Sequence, residues 1–197
     1  MWPFRKTPPP KPAPLTLDQA LAELARLGVP TRSGVDRTDL LASLTSGPEG
    51  PIDRVELLCV LGGEAEVGDF GWFSNDIWHV DSECIEDHGA YVRLAERFIA
   101  LAKGALPLTA IRDHVDVQAG EAWFEFQLDG RTTRWELPVT DDWMAPEFYS
   151  NFQKLLSSRS PLRFMITGLG QDSLILCGDD QLRHAISKFA GLQFVWE

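Results

Sequence analysis

The chain has 197 residues, and 44% of them are hydrophobic. This length is enough for one well-buried core and too short for two large domains. The formal net charge of -11 disfavours nucleic acid as a ligand, because phosphate binding requires a basic surface that this chain lacks. If the protein has a macromolecular partner, its charge favours a basic protein.

The three cysteines stand alone rather than in a C-x-x-C pair, and each lies beside apolar residues. This pattern predicts buried free thiols in a reducing compartment and supports neither a zinc knuckle nor a redox dithiol. No run of residues has the length and apolarity of a signal peptide or a membrane span. We therefore expect a cytoplasmic protein without a cofactor, and such an acidic composition is typical of many bacterial cytosolic proteins.

Residues 1 to 14 differ in composition from the rest of the chain. They contain six prolines and three cations but no acid, which predicts an extended, disordered, Pro-rich tail. Two short helical patterns follow it, and the remaining residues have the pattern of a single domain. The expected organisation is a basic tail (1–14), an N-terminal helical pair (15–48) and an α+β domain (49–197).

Capping residues mark the starts of the predicted helices. Thr16 followed by Gln19 has the form of a capping box, and leucines recur after it at helical spacing. Asp87 suits the N-cap of the longest helix, which ends at Lys103 and carries its apolar residues on one stripe. Further helices are expected after Asp36, after Pro51 (across Val55–Leu61), after Pro146 and after Asp179.

The clearest β pattern spans Glu121–Val139, where two β-rich runs are joined by Asp129 and Gly130. This dipeptide is typical of a type I′ turn, which sets the register of the hairpin by counting. The expected cross-strand pairs are Leu128 with Arg131, Phe126 with Thr133, Phe124 with Trp135, Glu125 with Arg134, and Trp123 with Glu136. The other expected strands are Ile77–Val80, Ile111–Val117, Arg163–Thr167, Ser173–Cys177 and Leu192–Trp196.

This order of elements predicts an α+β fold. Mainly antiparallel sheets should pack with helices, because strands and helices do not alternate as they do in a parallel doubly wound fold. The helical pair and the disordered tail should precede these sheets.

Between Val55 and Val92 the chain has no Lys or Arg but has nine carboxylates, interleaved with aromatic residues. Carboxylates without counter-charges steer a basic partner towards a surface, and aromatic side chains supply desolvated contact area. The segment from Glu64 to Glu83 also has weak secondary-structure preference. The residues expected to bind a partner are Trp72, Asp76, Trp78, Asp81, Glu83, Glu86 and Asp87.

A second set of residues suggests chemistry instead of binding. His79 and Asp81 stand within ten residues of His88, and imidazoles and carboxylates are the ligands of many metal sites, although this spacing matches no established zinc pattern. His88 and His114 each follow an Asp, which suggests an acid/base unit. No G-x-S-x-G motif supplies a nucleophile, and helix capping or an exposed strand explains the same residues without chemistry.

Three functions are consistent with these patterns. The first is a non-catalytic protein that binds a basic protein partner, such as an immunity or antitoxin protein that blocks a basic bacterial toxin. The second is a metal-dependent or acid/base hydrolase that uses His79, Asp81, His88 and His114. The third is a structural or regulatory subunit with an obligate aromatic interface.

Overall fold

The computed structural model describes residues 14–45, 50–65 and 71–196. The predicted tail, apart from Pro14, lies outside these residues, and so do Glu66 and Asp69 of the acidic window. The described helices are α1 (Leu17–Arg26), α2 (Arg37–Ser43), α3 (Arg54–Gly62), α4 (Ala90–Leu101), α5 (Pro146–Ser157) and α6 (Asp180–Ala190). The described strands are β1 (Ile77–Asp81), β2 (Thr109–Asp116), β3 (Glu121–Leu128), β4 (Arg131–Leu137), β5 (Arg163–Gly168) and β6 (Asp172–Gly178).

The predicted α+β class is confirmed. Two antiparallel three-stranded sheets are formed by the described residues, one in the order β1-β6-β5 and the other in the order β2-β3-β4. Helices α1 and α2 precede both sheets. No helix within the described residues has both the length and the apolar character needed to span a membrane.

Strand β6 is the central strand of the first sheet, and both of its faces are buried. Leu174 and Leu176 lie in one hydrophobic cluster, which also contains residues of α1, α2, α3 and α6. Ile175 and Cys177 lie in a second cluster, which contains residues of α4, α5 and the sheet β2-β3-β4. Because side chains alternate across a strand, one strand supplies both cores.

The β3-β4 hairpin has the predicted register. Phe124 pairs with Trp135 and Glu125 pairs with Arg134, as counting from the turn requires. Asp129 and Gly130 both have positive φ, 51° and 75°, as a type I′ turn demands. The predicted third strand is also confirmed, since β2 pairs with β3 on the side away from β4.

Several predicted helix starts are confirmed by side-chain caps. Thr16 and Gln19 form both hydrogen bonds of the capping box at the start of α1. The Asp36 and Asp179 carboxylates accept hydrogen bonds from backbone N–H groups at the starts of α2 and α6. The helix predicted across Val55–Leu61 is α3, and the Asp53 carboxylate caps it.

The predicted start of the longest helix at Asp87 is wrong. Helix α4 begins at Ala90, after Gly89, whose φ of 91° is in the left-handed region. The first turn of α4 is capped by Asp113, a residue of β2 that is distant in sequence. Its carboxylate accepts hydrogen bonds from the N–H groups of Gly89 at 2.7 Å and Val92 at 3.1 Å. A cap supplied by tertiary structure leaves no local pattern in the sequence.

The last predicted strand, Leu192–Trp196, is also wrong in extent. Only Val195 pairs, and it forms an isolated bridge with Ile166 of β5 through two backbone hydrogen bonds of 3.0 Å and 2.9 Å. The apolar run at the end of the described chain therefore covers a strand edge at one point rather than adding a full strand to the sheet.

The capping role of Asp113 gives a stability prediction. Asp113→Ala leaves two N–H groups at the start of α4 without their acceptor, and it should lower the free energy of unfolding by about 1–3 kcal/mol. Asp87→Ala is the matched control and should change it by less than about 0.5 kcal/mol, because Asp87 is exposed. Urea denaturation measures both variants. Equal losses in the two variants would contradict the assignment of the cap.

Candidate functional site

Two loops that are distant in sequence pair with each other beside the end of β1. The Ile85 N–H donates to the Asp142 carbonyl oxygen at 2.9 Å, and the Met144 N–H donates to the Ser82 carbonyl oxygen at 2.7 Å. This short antiparallel pairing places Glu83 opposite Trp143. The acidic segment that follows β1 thus lies next to a second acid and an aromatic residue.

Gln171, in the turn between β5 and β6, holds two of the carboxylates in place. Its side-chain Nε2 donates to Asp81 Oδ1 at 3.0 Å and to Glu83 Oε2 at 2.7 Å. The Glu83 backbone N–H also donates to Asp81 Oδ1 at 2.8 Å. Because an amide donates hydrogen bonds without adding a positive charge, these carboxylates stay close together and their negative charge is not cancelled.

Trp143, in the second of the paired loops, is partly exposed to solvent. It has 39% of its surface exposed and is one of two large hydrophobic side chains described as exposed, the other being Val195. We call the exposed ring together with its acidic neighbours the Trp143 surface, which comprises Asp81, Glu83, Glu86, Asp142 and Trp143. Among the described residues, no Lys or Arg forms an ion pair with these four carboxylates.

The half-buried thiol of Cys84 lies beneath this surface and responds to its charge. Burial raises the pKa of Cys84 to about 11, and the charges of Asp81, Asp142 and Glu86 act in the same direction, against the opposing effect of Arg93. Carboxylates from the end of β1 and from both loops therefore lie near one position. A thiol with so high a pKa is protonated at neutral pH, so Cys84 is not an activated nucleophile.

The structure separates the predicted partner-binding residues into two groups. Asp81, Glu83, Glu86 and Asp87 are exposed, and the first three belong to the Trp143 surface. The remaining three are placed elsewhere: Trp72 is half-buried, Asp76 is paired with a cation, and Trp78 is buried.

Trp78 has only 5% of its surface exposed, and its ring packs edge to face against Phe98 at 5.2 Å between centroids. It belongs to the core and is not available to a partner. The Asp76 carboxylate forms an ion pair with Lys103, with 2.6 Å between Oδ1 and Nζ. The acidic window has no Lys or Arg in its own sequence, but Lys103, which follows α4, neutralises one of its carboxylates.

Trp72 covers a buried cation. The guanidinium of Arg97 lies 4.0 Å from the centre of the Trp72 ring and donates to the Ile77 carbonyl oxygen at 2.8 Å. Burial and the nearby charge of Arg32 lower the pKa of Arg97 to about 10, which leaves it charged at neutral pH. Trp72 thus has a structural contact that accounts for its position, namely a cation–π interaction over Arg97.

The residues of the hydrolase hypothesis fall into two separate places. His79 in β1 lies beside Asp172, with 3.7 Å between Nε2 and Oδ2. The rings of His88 and His114 lie 4.8 Å apart beside β2. No cluster of three or more His, Cys, Asp or Glu residues suited to a metal ion is present in ranges 14–45, 50–65 and 71–196.

The two neighbouring imidazoles have defined contacts. His88 Nδ1 accepts a hydrogen bond from the Val115 N–H at 2.9 Å, so His88 carries its proton on Nε2 when neutral. His114 stacks on Trp123 with 5.8 Å between centroids, and the Arg134 guanidinium lies 3.8 Å from the centre of that Trp ring. The Asp113 carboxylate, which the sequence places beside His114, accepts hydrogen bonds at the start of α4 instead.

Comparison with protein-family models, with curated proteins and with solved structures found no match. Sequence reasoning missed Trp143 because Asp141-Asp142-Trp143, shortly before Pro146, is typical of the start of a helix. The same tripeptide repeats the mixture of acid and aromatic residues that singles out the earlier window, which is the signal that could have found it.

The raised pKa of the thiols predicts slow alkylation. The pKa values of Cys59 and Cys177 are also raised to about 11, chiefly by burial. At pH 8 about one thiol in a thousand would then be ionised, against about a quarter at the ordinary pKa. Iodoacetamide labelling followed by mass spectrometry should be slower in the native than in the denatured protein by at least about 100-fold. Labelling of native Cys84 at the rate of the denatured protein would contradict this prediction.

A second prediction concerns Gln171. Gln171→Glu replaces the shared donor with a third carboxylate and should lower the free energy of unfolding at neutral pH by roughly 0.5–1 kcal/mol. Gln171→Ala removes the hydrogen bonds without adding charge and should cost less. Denaturation at neutral pH, and again at a pH low enough to protonate the carboxylates, separates the two effects. The idea fails if Gln171→Glu is as stable as the wild type at neutral pH.

Proposed function

We propose that this protein is a non-catalytic interaction protein that binds a basic protein partner through the Trp143 surface. The observation that carries the proposal is the exposed Trp143 ring beside carboxylates that have no Lys or Arg in ion-pair contact among the described residues. Its support is chemical, because a basic partner would supply the missing counter-charges and a pocket for the ring.

The acids and the aromatic ring have different roles in this proposal. Exposed carboxylates raise the rate of encounter with a cationic surface, and this effect weakens as salt screens the charges. They add little to the lifetime of the complex, because exposed ion pairs are weak. Tryptophan is enriched among the residues that dominate binding energy, since its large ring is desolvated in a pocket of the partner.

The chemistry of the partner follows from this division. It should present Lys or Arg side chains around an apolar pocket of the size of an indole ring. A basic toxin held by an immunity or antitoxin protein is one class of complex that meets this description. The net charge of -11 disfavours a nucleic acid at the same surface, because the acidic residues would repel its phosphates.

A hydrolase is the second candidate, and the separation of 4.8 Å between the His88 and His114 rings is the observation that favours it. A metal-dependent version requires a stoichiometric metal ion in protein purified without an affinity tag. Elemental analysis decides this version, since His88 and His114 would have to recruit at least one further ligand on binding.

The binding proposal is tested with two variants that act on different rate constants. Wild-type protein immobilised at low ionic strength should capture a basic protein from the native lysate. Trp143→Ala should raise the dissociation rate about 30-fold, the effect of losing an interface hot spot. The triple variant Asp81→Asn, Glu83→Gln and Asp142→Asn should lower the association rate about tenfold at low salt and little at high salt.

The matched control neutralises three exposed acids outside the Trp143 surface, with the changes Glu96→Gln, Glu121→Gln and Glu147→Gln. It alters the net charge by the same amount as the triple variant. The proposal is abandoned if the control slows association as much as the triple variant does, or if the wild type captures nothing at low ionic strength. Circular dichroism and thermal unfolding of each variant verify that it is folded.

A further inference from the structure

The first sheet, β1-β6-β5, is covered at both of its edge strands. At β5, Val195 forms two backbone hydrogen bonds with Ile166. At β1, Gly62 of α3 lies so close that an added Cβ would be 2.7 Å from the His79 backbone nitrogen. Arg97 also donates to the Ile77 carbonyl oxygen. Natural proteins cover or interrupt sheet edges because unpaired N–H and C=O groups otherwise pair with another chain.

The second sheet is protected on only one of its edges. On the β2 side the register shifts between Thr109 and Arg112, and Ala110 has a positive φ of 49°. The Val115 N–H further along this strand is bound by the His88 ring. A bulge and a side-chain acceptor thus interrupt β2, and the opposite edge of this sheet is β4.

Strand β4 presents a regular row of unpaired backbone groups. Residues that flank a two-residue turn exchange both hydrogen bonds, and the pattern then alternates along the hairpin. The N–H and C=O groups of Thr132, Arg134 and Glu136 therefore point away from β3. None of them has a hydrogen-bond partner in the part of the chain that the structure describes. This is the edge geometry that accepts a further strand.

A groove of about 720 Å³ lies behind this edge, between β4 and α5. The apolar residues that line it are Phe126, Leu128, Trp135 and Leu155. Trp135 contacts Phe126 and Phe152, yet it is only half-buried because its ring also lines this groove. A strand added to β4 would bury this apolar surface together with the edge.

We infer that the occupant of this edge is β4 of a second copy of the chain, paired antiparallel about a two-fold axis at Trp135. In this register Arg134 faces the partner's Glu136, and Glu136 faces the partner's Arg134. Both residues have outward-pointing backbone groups, so they can exchange hydrogen bonds across the axis. The two Trp135 side chains meet on the groove side, and the contact is self-complementary, as a two-fold interface requires.

The charges on β4 favour this register over the registers with the two-fold axis at an adjacent residue. A two-fold axis at Arg134 would place two Arg residues opposite each other, and an axis at Thr133 would place Arg134 opposite Thr132 of the partner subunit. Only the axis at Trp135 forms two pairs of opposite charge. The result is a continuous six-stranded sheet. The inference is independent of the proposed function, so either can fail without the other.

Sedimentation equilibrium over a wide range of protein concentration tests this interface. The wild type should show a reversible monomer–dimer equilibrium. Arg134→Glu and Glu136→Arg should each weaken dimerisation by about tenfold or more, because each replaces two attractive pairs with two like-charge pairs. An equal mixture of the two variants should recover the dimer, since each Glu then faces an Arg of the other chain.

Two further variants separate the interface from stability. The double variant Arg134→Glu with Glu136→Arg preserves the ion pair of 3.0 Å within the strand and should dimerise like the wild type. Glu96→Arg, an exposed charge reversal on α4, is the matched control and should leave dimerisation unchanged. Hydrogen exchange at the amides of Thr132, Arg134 and Glu136 should slow as the protein concentration rises.

The inference is overturned if the wild type stays monomeric at every concentration, or if the dimer survives both single reversals. It is also overturned if the β4 amides become protected only when another protein or peptide is added, because that result assigns the edge to a different partner.

Discussion

The burial of β6 on both faces is the constraint on which the rest of the structure depends. Its alternating side chains enter two hydrophobic clusters, so a register slip of one residue would reverse both cores at once. The fixed register of β6 sets the position of β1, which pairs with it from Ile77 to Asp81. It also sets the position of the β5-β6 turn, and therefore of Gln171.

The Trp143 surface is a consequence of this arrangement. Asp81 ends β1, and Gln171 stands opposite it at the same end of the sheet. The loop after β1 then pairs with the loop before α5, which brings Trp143 beside the acids. Strand β1 thus positions Asp81, while the other members of the Trp143 surface lie on the two paired loops. Binding residues on loops that a scaffold positions are a common arrangement for recognition.

Among the residues that the structure describes, some carboxylates form ion pairs with Lys or Arg, and others are exposed without one. Asp76, Asp129 and Glu125 each have a cation close by, whereas the carboxylates near Trp143 are bridged by an amide that adds no charge. The balanced Arg and Glu pair on β4 belongs to a different kind of surface. For this reason we propose a cationic partner at the Trp143 surface and a self-complementary one at the β4 edge.

Local chemistry was sufficient to predict much of the fold from the sequence. The Asp129-Gly130 turn determined the register of its hairpin, because both residues tolerate positive φ and the cross-strand pairs follow by counting. The Thr16 capping box and the glycine and proline breaks determined helix starts within a few residues. In each case the atoms that make the decisive contact are close in sequence.

Tertiary structure alone decided which acids and aromatics form a surface. Trp78 stands in the acidic window but faces the core, and Trp143 lies far along the chain but joins that window through loop pairing. The cap of α4 likewise comes from Asp113, which lies in the strand that follows this helix. The amino-acid sequence alone shows that this chain is acidic and rich in tryptophan. The position of each charge and ring depended on contacts between distant segments, which leave no periodic signal in the sequence because packing of the two cores creates them.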